Sequence, residues 1–205
     1  MDHFHIKEQS KQALIGNRLM LFVILVITAA VASLGSAALG IGFLLSIIIE
    51  AGIYLSIRQM LLNKKAISVE VALIGYFKDL EHCIKILVVG FLFHLLVVVG
   101  YFLLIIPGVY WALKYSQALF IMADHKEMDI FDAFKESAKI MEGKKMDLFI
   151  FYIGFIGHFL LGIITFGLYF LYFIPYLKTC IVNYYLYLTH AYKKSPDPEV
   201  IEAQF

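Results

Sequence analysis

The sequence predicts an all-α membrane protein, a polytopic bundle of about six transmembrane helices arranged as three hairpins. Of its 205 residues, 61% are hydrophobic, and the 16% that are charged fall in a few blocks between long apolar runs. A helix needs about 20 apolar residues to cross about 30 Å of hydrocarbon, and these runs have that length. Because the runs are continuously apolar, without the alternation of a membrane barrel, strands are not expected.

Six apolar runs are bounded by the charged blocks, and the fourth is the shortest. They are Arg18–Ala38, Leu39–Ile57, Ile84–Ile106, Val109–Ala123, Leu148–Phe166 and Leu168–His190. We expect one integral membrane domain over residues 1–190, with hairpin units at about 1–62, 66–124 and 128–190. Residues 191–205 contain two prolines and are expected to form a flexible cytoplasmic tail.

The basic residues predict the orientation in the membrane. All Lys and Arg residues except Lys114 and Lys178 lie in the amino-terminal segment, the Arg58–Lys85 region, the Asp124–Lys145 region and the tail. The three turns at the opposite ends of the hairpins carry no charge. By the positive-inside rule, both termini and both long loops are cytoplasmic. So little chain then projects outside that a receptor ectodomain or an extracellular enzyme is not expected.

Each hairpin is preceded by a stretch with amphipathic helical spacing. These stretches are Phe4–Gly16, Val69–His82 and Ile130–Met141. Such a helix can lie in the headgroup layer, with its lysines facing anionic lipid, or it can pack beneath the bundle. In the third stretch, either Asp129 or Asp132 is expected to cap the helix at its start, and Gly143 to end it.

Four ionisable residues from four different helices are predicted to lie near the middle of the bilayer: Glu50, His94, His158 and Lys178. An ionised side chain at that depth costs about 3 kcal/mol or more unless it is paired or hydrated. One interpretation is a buried relay or binding site, in which Glu50 pairs with Lys178 and the two imidazoles transfer or sense protons. The other is structural, an ion pair and two hydrogen-bonded histidines that hold helices together.

No pattern in the sequence predicts catalysis. The zinc-protease, nucleophile-elbow and phosphate-loop motifs are absent from the sequence, and no cytoplasmic segment is long enough for a nucleotide-binding domain. The two cysteines, Cys83 and Cys180, lack the spacing of metal ligands. We therefore expect no enzyme activity, no cofactor, no metal and no nucleic-acid partner.

The second half of the chain carries a set of short motifs. The first group is Ile106-Pro107-Gly108, Ala112-Leu113-Lys114-Tyr115-Ser116, Ile121-Met122-Ala123-Asp124, Ala133-Phe134-Lys135-Glu136-Ser137 and Met141-Glu142-Gly143-Lys144-Lys145. The second is Leu148-Phe149, Phe155-Ile156-Gly157, Leu161-Gly162, Thr165-Phe166-Gly167 and Phe173-Ile174-Pro175-Tyr176. Over about residues 70–190 the chain resembles the domain-of-unknown-function 975 family. His158 stands where such sequences often have tryptophan.

The resemblance implies a six-helix protein of the bacterial cytoplasmic membrane, but no activity and no site residues. Two classes of function then remain. The first is binding or moving a small hydrophobic or membrane-active ligand, a lipid or a peptide, which includes immunity to a bacteriocin or toxin. The second is a non-catalytic accessory or structural subunit of another membrane protein complex. The expected partners are the lipid bilayer, with anionic lipid at the cytoplasmic face, and a membrane protein or peptide; the oligomeric state is left open.

Overall fold

The protein is all-helical over the part that the computed structural model describes, residues 3–36, 41–103 and 105–189. These residues form eleven α-helices and no strand, which confirms the all-α prediction. The helices are α1 His3–Ala13, α2 Arg18–Ser36, α3 Ile41–Asn63, α4 Val69–Ile74, α5 Leu80–Leu103, α6 Ile105–Tyr115, α7 Ala118–Asp124, α8 Ile130–Ile140, α9 Lys145–Ile153, α10 Ile156–Ile164 and α11 Leu168–Leu188. The expected tail, the last two residues of the first predicted span (37–38) and the first two of the second (39–40) lie outside the described residues.

Three helical segments of the described residues are each long and apolar enough to cross a bilayer. They are Gly42–Asn63, Leu80–Phe102 and Lys145–Ile164, and they correspond to the second, third and fifth predicted spans. A fourth segment is formed if His3–Ala13 and Arg18–Ser33 are taken together, although these two helices are bent by 94° relative to each other. Helix α11 is long, but its many tyrosines, Lys178 and Asn183 make it less apolar.

The fourth predicted span, Val109–Ala123, is not one continuous helix. It is divided into α6 and α7 by a turn at Ser116 and Gln117. The Ser137 hydroxyl of α8 bridges the break: it donates to the Lys114 carbonyl at 3.1 Å and accepts from the Gln117 backbone amide at 3.3 Å. These bonds satisfy backbone groups that the interrupted helix leaves unpaired.

The three stretches that precede the hairpins contain helices α1, α4 and α8. Asp129 caps α8, because its carboxylate accepts from the Phe131 amide at 3.1 Å. Gly143 follows in the left-handed conformation, at φ +70°. The Val69–His82 stretch is not a single helix: α4 ends at Ile74, and Asp79 starts a new helix by accepting from the His82 amide at 3.3 Å.

The core lies where α3, α7 and α11 meet. The rings of Tyr54 and Phe120 stack at 4.7 Å between centroids, and Tyr185 packs edge-on against both. The outer surface is largely apolar; Phe102 and Phe166, beside two of the uncharged turns, are 92% and 99% exposed. Within a bundle whose interior is packed, such exposure is typical of side chains whose solvent is lipid.

Candidate ligand cavity and its polar wall

A cavity of about 500 Å³ opens between helices α3, α5, α6, α7, α9 and α11. Aromatic and aliphatic side chains form most of its wall: Ile53, Ile57, Phe93, Tyr101, Val109, Ala112, Leu113, Phe120, Phe149, Tyr152, Ile181 and Val182. The polar wall consists of Glu50, Tyr54, Ser116 and Lys178. Mostly apolar pockets of this volume with few polar groups are typical of small-molecule sites.

The short helix α6 contributes one face to this cavity. Val109, Ala112 and Leu113 line it at the i, i+3, i+4 spacing of one helical face, and Ser116 lines it from the turn that follows. A close approach of backbones positions α6 against α5, since a Cβ atom at Gly100 would lie 2.7 Å from the Gly108 Cα atom. Small residues such as glycine let helix backbones pack this closely.

Glu50 and Lys178 are brought together across the bundle. The Lys178 ammonium donates to the Glu50 carboxylate, and the two side chains are 35% and 36% exposed, respectively. Both residues line the cavity. The ion pair therefore provides a negative and a positive group side by side in an otherwise apolar wall.

His94 lies near this pair but does not line the cavity. Its Nδ1–H donates to the Gly90 carbonyl of its own helix at 2.7 Å, and the ring packs edge-on against Phe43 at 5.2 Å. It lies within electrostatic range of Glu50. Its neighbour Phe93 faces the cavity instead.

His158 is placed in a different part of the molecule. Its ring stacks on Phe173 at 5.1 Å, beside Tyr169 and Tyr176, and it lines a separate pocket next to α1. The four predicted residues thus do not form one site: Glu50 and Lys178 pair, His94 lies close by, and His158 lies elsewhere. The sequence predicts the depth of a residue along a helix but not the direction in which it faces.

A second polar cluster, which the sequence interpretation missed, lies next to the cavity at the end of α7. The Tyr54 hydroxyl donates to Asp124 Oδ2 at 2.6 Å, and the Tyr185 hydroxyl donates to the same oxygen at 3.3 Å. Arg58 Nε lies 3.4 Å from Asp124 Oδ1. The signal for this cluster is the spacing of Glu50, Tyr54 and Arg58, which places three polar groups along one face of α3.

Two further hydrogen bonds join the end of α7 to Tyr76 and to His82 of α5, beside this cluster. The Tyr76 hydroxyl donates to the Ala123 carbonyl at 3.0 Å, and His82 Nε2 donates to the Met122 carbonyl at 2.7 Å. Burial raises the pKa of Tyr76 far above its ordinary value, so this phenol stays neutral. Both bonds satisfy carbonyl groups at the end of α7 that have no partner within the helix.

Metal ligands are not gathered anywhere in the described part of the chain. No three His, Cys, Asp or Glu side chains there are placed to hold one ion. Cys83 and Cys180 are both buried free thiols. The chemistry of the cavity thus rests on the Glu50–Lys178 pair and on phenol and serine hydroxyls.

Comparison with known proteins gives a family match for the second half of the chain. Residues 95–192 match the model whose description is "Protein of unknown function (DUF975)". This part of the chain is similar to the DUF975 family. This DUF975 segment runs from within α5 through α11, so it contains Lys178 and Asp124 but not Glu50. No curated protein and no solved structure matched the chain.

Proposed function

We propose that this DUF975 protein is a multi-pass protein of the bacterial cytoplasmic membrane that binds or moves a small hydrophobic or membrane-active ligand, a lipid or a peptide, without catalysing a reaction. The observation that carries the proposal is the cavity of about 500 Å³, whose apolar wall contains the Glu50–Lys178 pair. Immunity to a membrane-active bacteriocin or toxin is one form of this function, because it requires only that the peptide be captured.

The ligand that best fits this wall has a long apolar part and one polar group. Aromatic and aliphatic side chains stabilise the apolar part by excluding water, at about 25 cal/mol per Å² of apolar surface buried. The polar group exchanges hydrogen bonds with Glu50 or Lys178, which is favourable because an ion pair in apolar surroundings keeps unused donors and acceptors. Tyr101 and Tyr152 offer further hydroxyl groups.

The membrane arrangement belongs to the same proposal. The six spans are α2, α3, α5, α6 with α7, α9 with α10, and α11, in three hairpins with both termini cytoplasmic. Contacts between α2 and α3, between α5 and α6, and between α10 and α11 support the hairpins. The basic residues cluster at the ends that we assign to the cytoplasm, whereas the turns near Phe102 and Phe166 are apolar.

Native mass spectrometry tests the proposal on protein extracted gently from bacterial membranes. Wild-type protein is expected to retain a defined small mass after collisional removal of detergent, and Glu50→Gln is expected to lose it. Glu81→Gln is the matched control, because it replaces the same side chain by the same amide at an exposed position that does not line the cavity. A protein subunit retained with no small mass would overturn the proposal and favour the accessory-subunit alternative.

A further inference from the structure

A second pocket of about 330 Å³ lies between α1 and the helices α10 and α11. It shares no lining residue with the central cavity. Three tyrosines of α11 form one side, Tyr169, Tyr172 and Tyr176, and Lys7, Glu8 and Lys11 of α1 form the other. The pocket thus places basic side chains opposite phenol groups.

The lysines of this pocket have no carboxylate partner in the described part of the chain. The Lys7 ammonium lies 4.3 Å from the centre of the Phe155 ring and 3.5 Å from the Gly154 carbonyl oxygen. These contacts hold the charge in place but do not neutralise it. Lys11 is exposed at the pocket and forms no ion pair with any described residue.

A third cation lies against the same tyrosines. The Arg18 guanidinium packs over the Tyr172 ring, 3.8 Å from its centre, and has no carboxylate partner among the described residues. Glu8 is the one acidic side chain of the pocket, and it accepts instead from the Gln12 amide at 3.4 Å. The cations around the pocket therefore outnumber its carboxylate.

The fixing of α1 makes this arrangement persistent. Asn183 of α11 is buried and donates to the Ile6 carbonyl and to the Ser10 hydroxyl, both at 3.0 Å. His3 of α1 bonds Asp147 of α9 at 3.0 Å. Since α1 is held at both its start and its middle, Lys7 and Lys11 stay beside the tyrosines.

We propose that this pocket binds the phosphate group of an anionic phospholipid, with Lys7 and Lys11 as its cationic ligands and tyrosine hydroxyls as additional donors. Basic pockets between transmembrane helices are suited to such headgroups, and phosphate oxygens accept strong bonds from charged donors. Cations in apolar surroundings are costly without an anion, which the lipid supplies. The pocket is separate from the central cavity, so this proposal and the proposed function succeed or fail independently.

The test compares lipid retention by native mass spectrometry after the protein is exchanged into micelles that contain phosphatidylglycerol or phosphatidylcholine. Further samples contain inorganic phosphate in the buffer, either alone or together with phosphatidylglycerol. Wild-type protein is expected to retain phosphatidylglycerol at least tenfold more than phosphatidylcholine. The double variant Lys7→Gln/Lys11→Gln is expected to lose this preference. Lys78→Gln/Lys139→Gln is the matched control, since it removes two exposed lysines that are each paired with a carboxylate outside the pocket.

Each outcome decides the proposal. Phosphatidylglycerol that remains bound when inorganic phosphate is added identifies the lipid headgroup as the source of the phosphate. A phosphate adduct that disappears in Lys7→Gln/Lys11→Gln identifies a free anion as the source instead. Equal retention of both lipids by wild-type protein with no phosphate adduct overturns the proposal, and this comparison requires no variant to fold. An unchanged lipid preference in Lys7→Gln/Lys11→Gln overturns it as well.

Discussion

Glu50 of α3 and Lys178 of α11 form an ion pair between residues 128 positions apart in the sequence. The pair joins the DUF975 segment, which contains Lys178, to the amino-terminal part of the chain, which contains Glu50. Because both side chains face the cavity, one of the contacts that connect the two parts of the protein is also the charged pair of the candidate site.

Breaking this ion pair is expected to destabilise the fold, and the effects of the two single substitutions are expected not to add. Glu50→Gln and Lys178→Met should each cost about 2 kcal/mol, between the values for exposed and buried pairs, because each leaves the partner charge uncompensated. The double variant should cost about 1–3 kcal/mol less than the sum of the single variants. Denaturant titration in micelles measures the three values. Additive costs would show that the two residues act separately.

Removing the charge of Asp124 is expected to loosen the cluster around α7. Asp124→Asn weakens the bonds from Tyr54 and Tyr185 and leaves Arg58 without its counter-ion, at a cost of about 1–3 kcal/mol. Asp132→Asn is the control, because its pair with Lys135 is exposed and should contribute under about 0.5 kcal/mol. Equal melting temperatures for the two variants would refute the role of Asp124.

The packing of α4 on α3 depends on the absence of a side chain at Gly52. A Cβ atom there would overlap the Ala72 carbonyl oxygen, so Gly52→Ala must push the helices apart, at about 1–3 kcal/mol. Gly157→Ala makes the same change where no atom lies within 4 Å, and its better helix propensity should stabilise by about 0.5–1 kcal/mol. Circular dichroism melts compare the two, and a stable Gly52→Ala would contradict the close approach.

The acid sensitivity of the segment between α4 and α5 should depend on Asp79. Its ion pair with Lys126, followed by the bond from the His82 amide, lowers the pKa of this carboxyl below its ordinary value. A lowered folded-state pKa contributes stability above the unfolded value of about 3.9, and this contribution is lost as the pH falls through the folded value. Asp79→Asn keeps the helix cap and removes the charge. The free energies of unfolding of wild type and Asp79→Asn should therefore converge below about pH 4. A difference between them that does not depend on pH would contradict the role of the Asp79 charge.

The sequence predicts the helical class well because lipid requires continuous apolar helices. The second, third and fifth predicted spans correspond to helical segments of suitable length, and Asp129 caps α8 as one of the two expected alternatives. These features depend on local composition and on a short-range hydrogen bond, both of which are readable from neighbouring residues.

Features set by tertiary contacts could not be predicted in this way. The break between α6 and α7 is satisfied by Ser137, twenty residues after Gln117, so no local signal indicated it. Depth along the helix groups His158 with Glu50, but the His158 ring packs against Phe173, because depth does not fix the direction in which a side chain faces. The sequence places Asp124 at the start of a charged block, whereas in the fold two tyrosine hydroxyls donate to its carboxylate.

The most direct test of the account is photo-crosslinking at the cavity face of α6. A photoreactive residue at Leu113, which lines the cavity, should capture one ligand of defined mass from bacterial membranes, and Glu50→Gln should abolish that product. The same residue at Tyr110, which is exposed and does not line the cavity, should yield only bulk lipid regardless of Glu50. Identical products from both positions, unaffected by Glu50→Gln, would contradict the claim that the cavity is a ligand site.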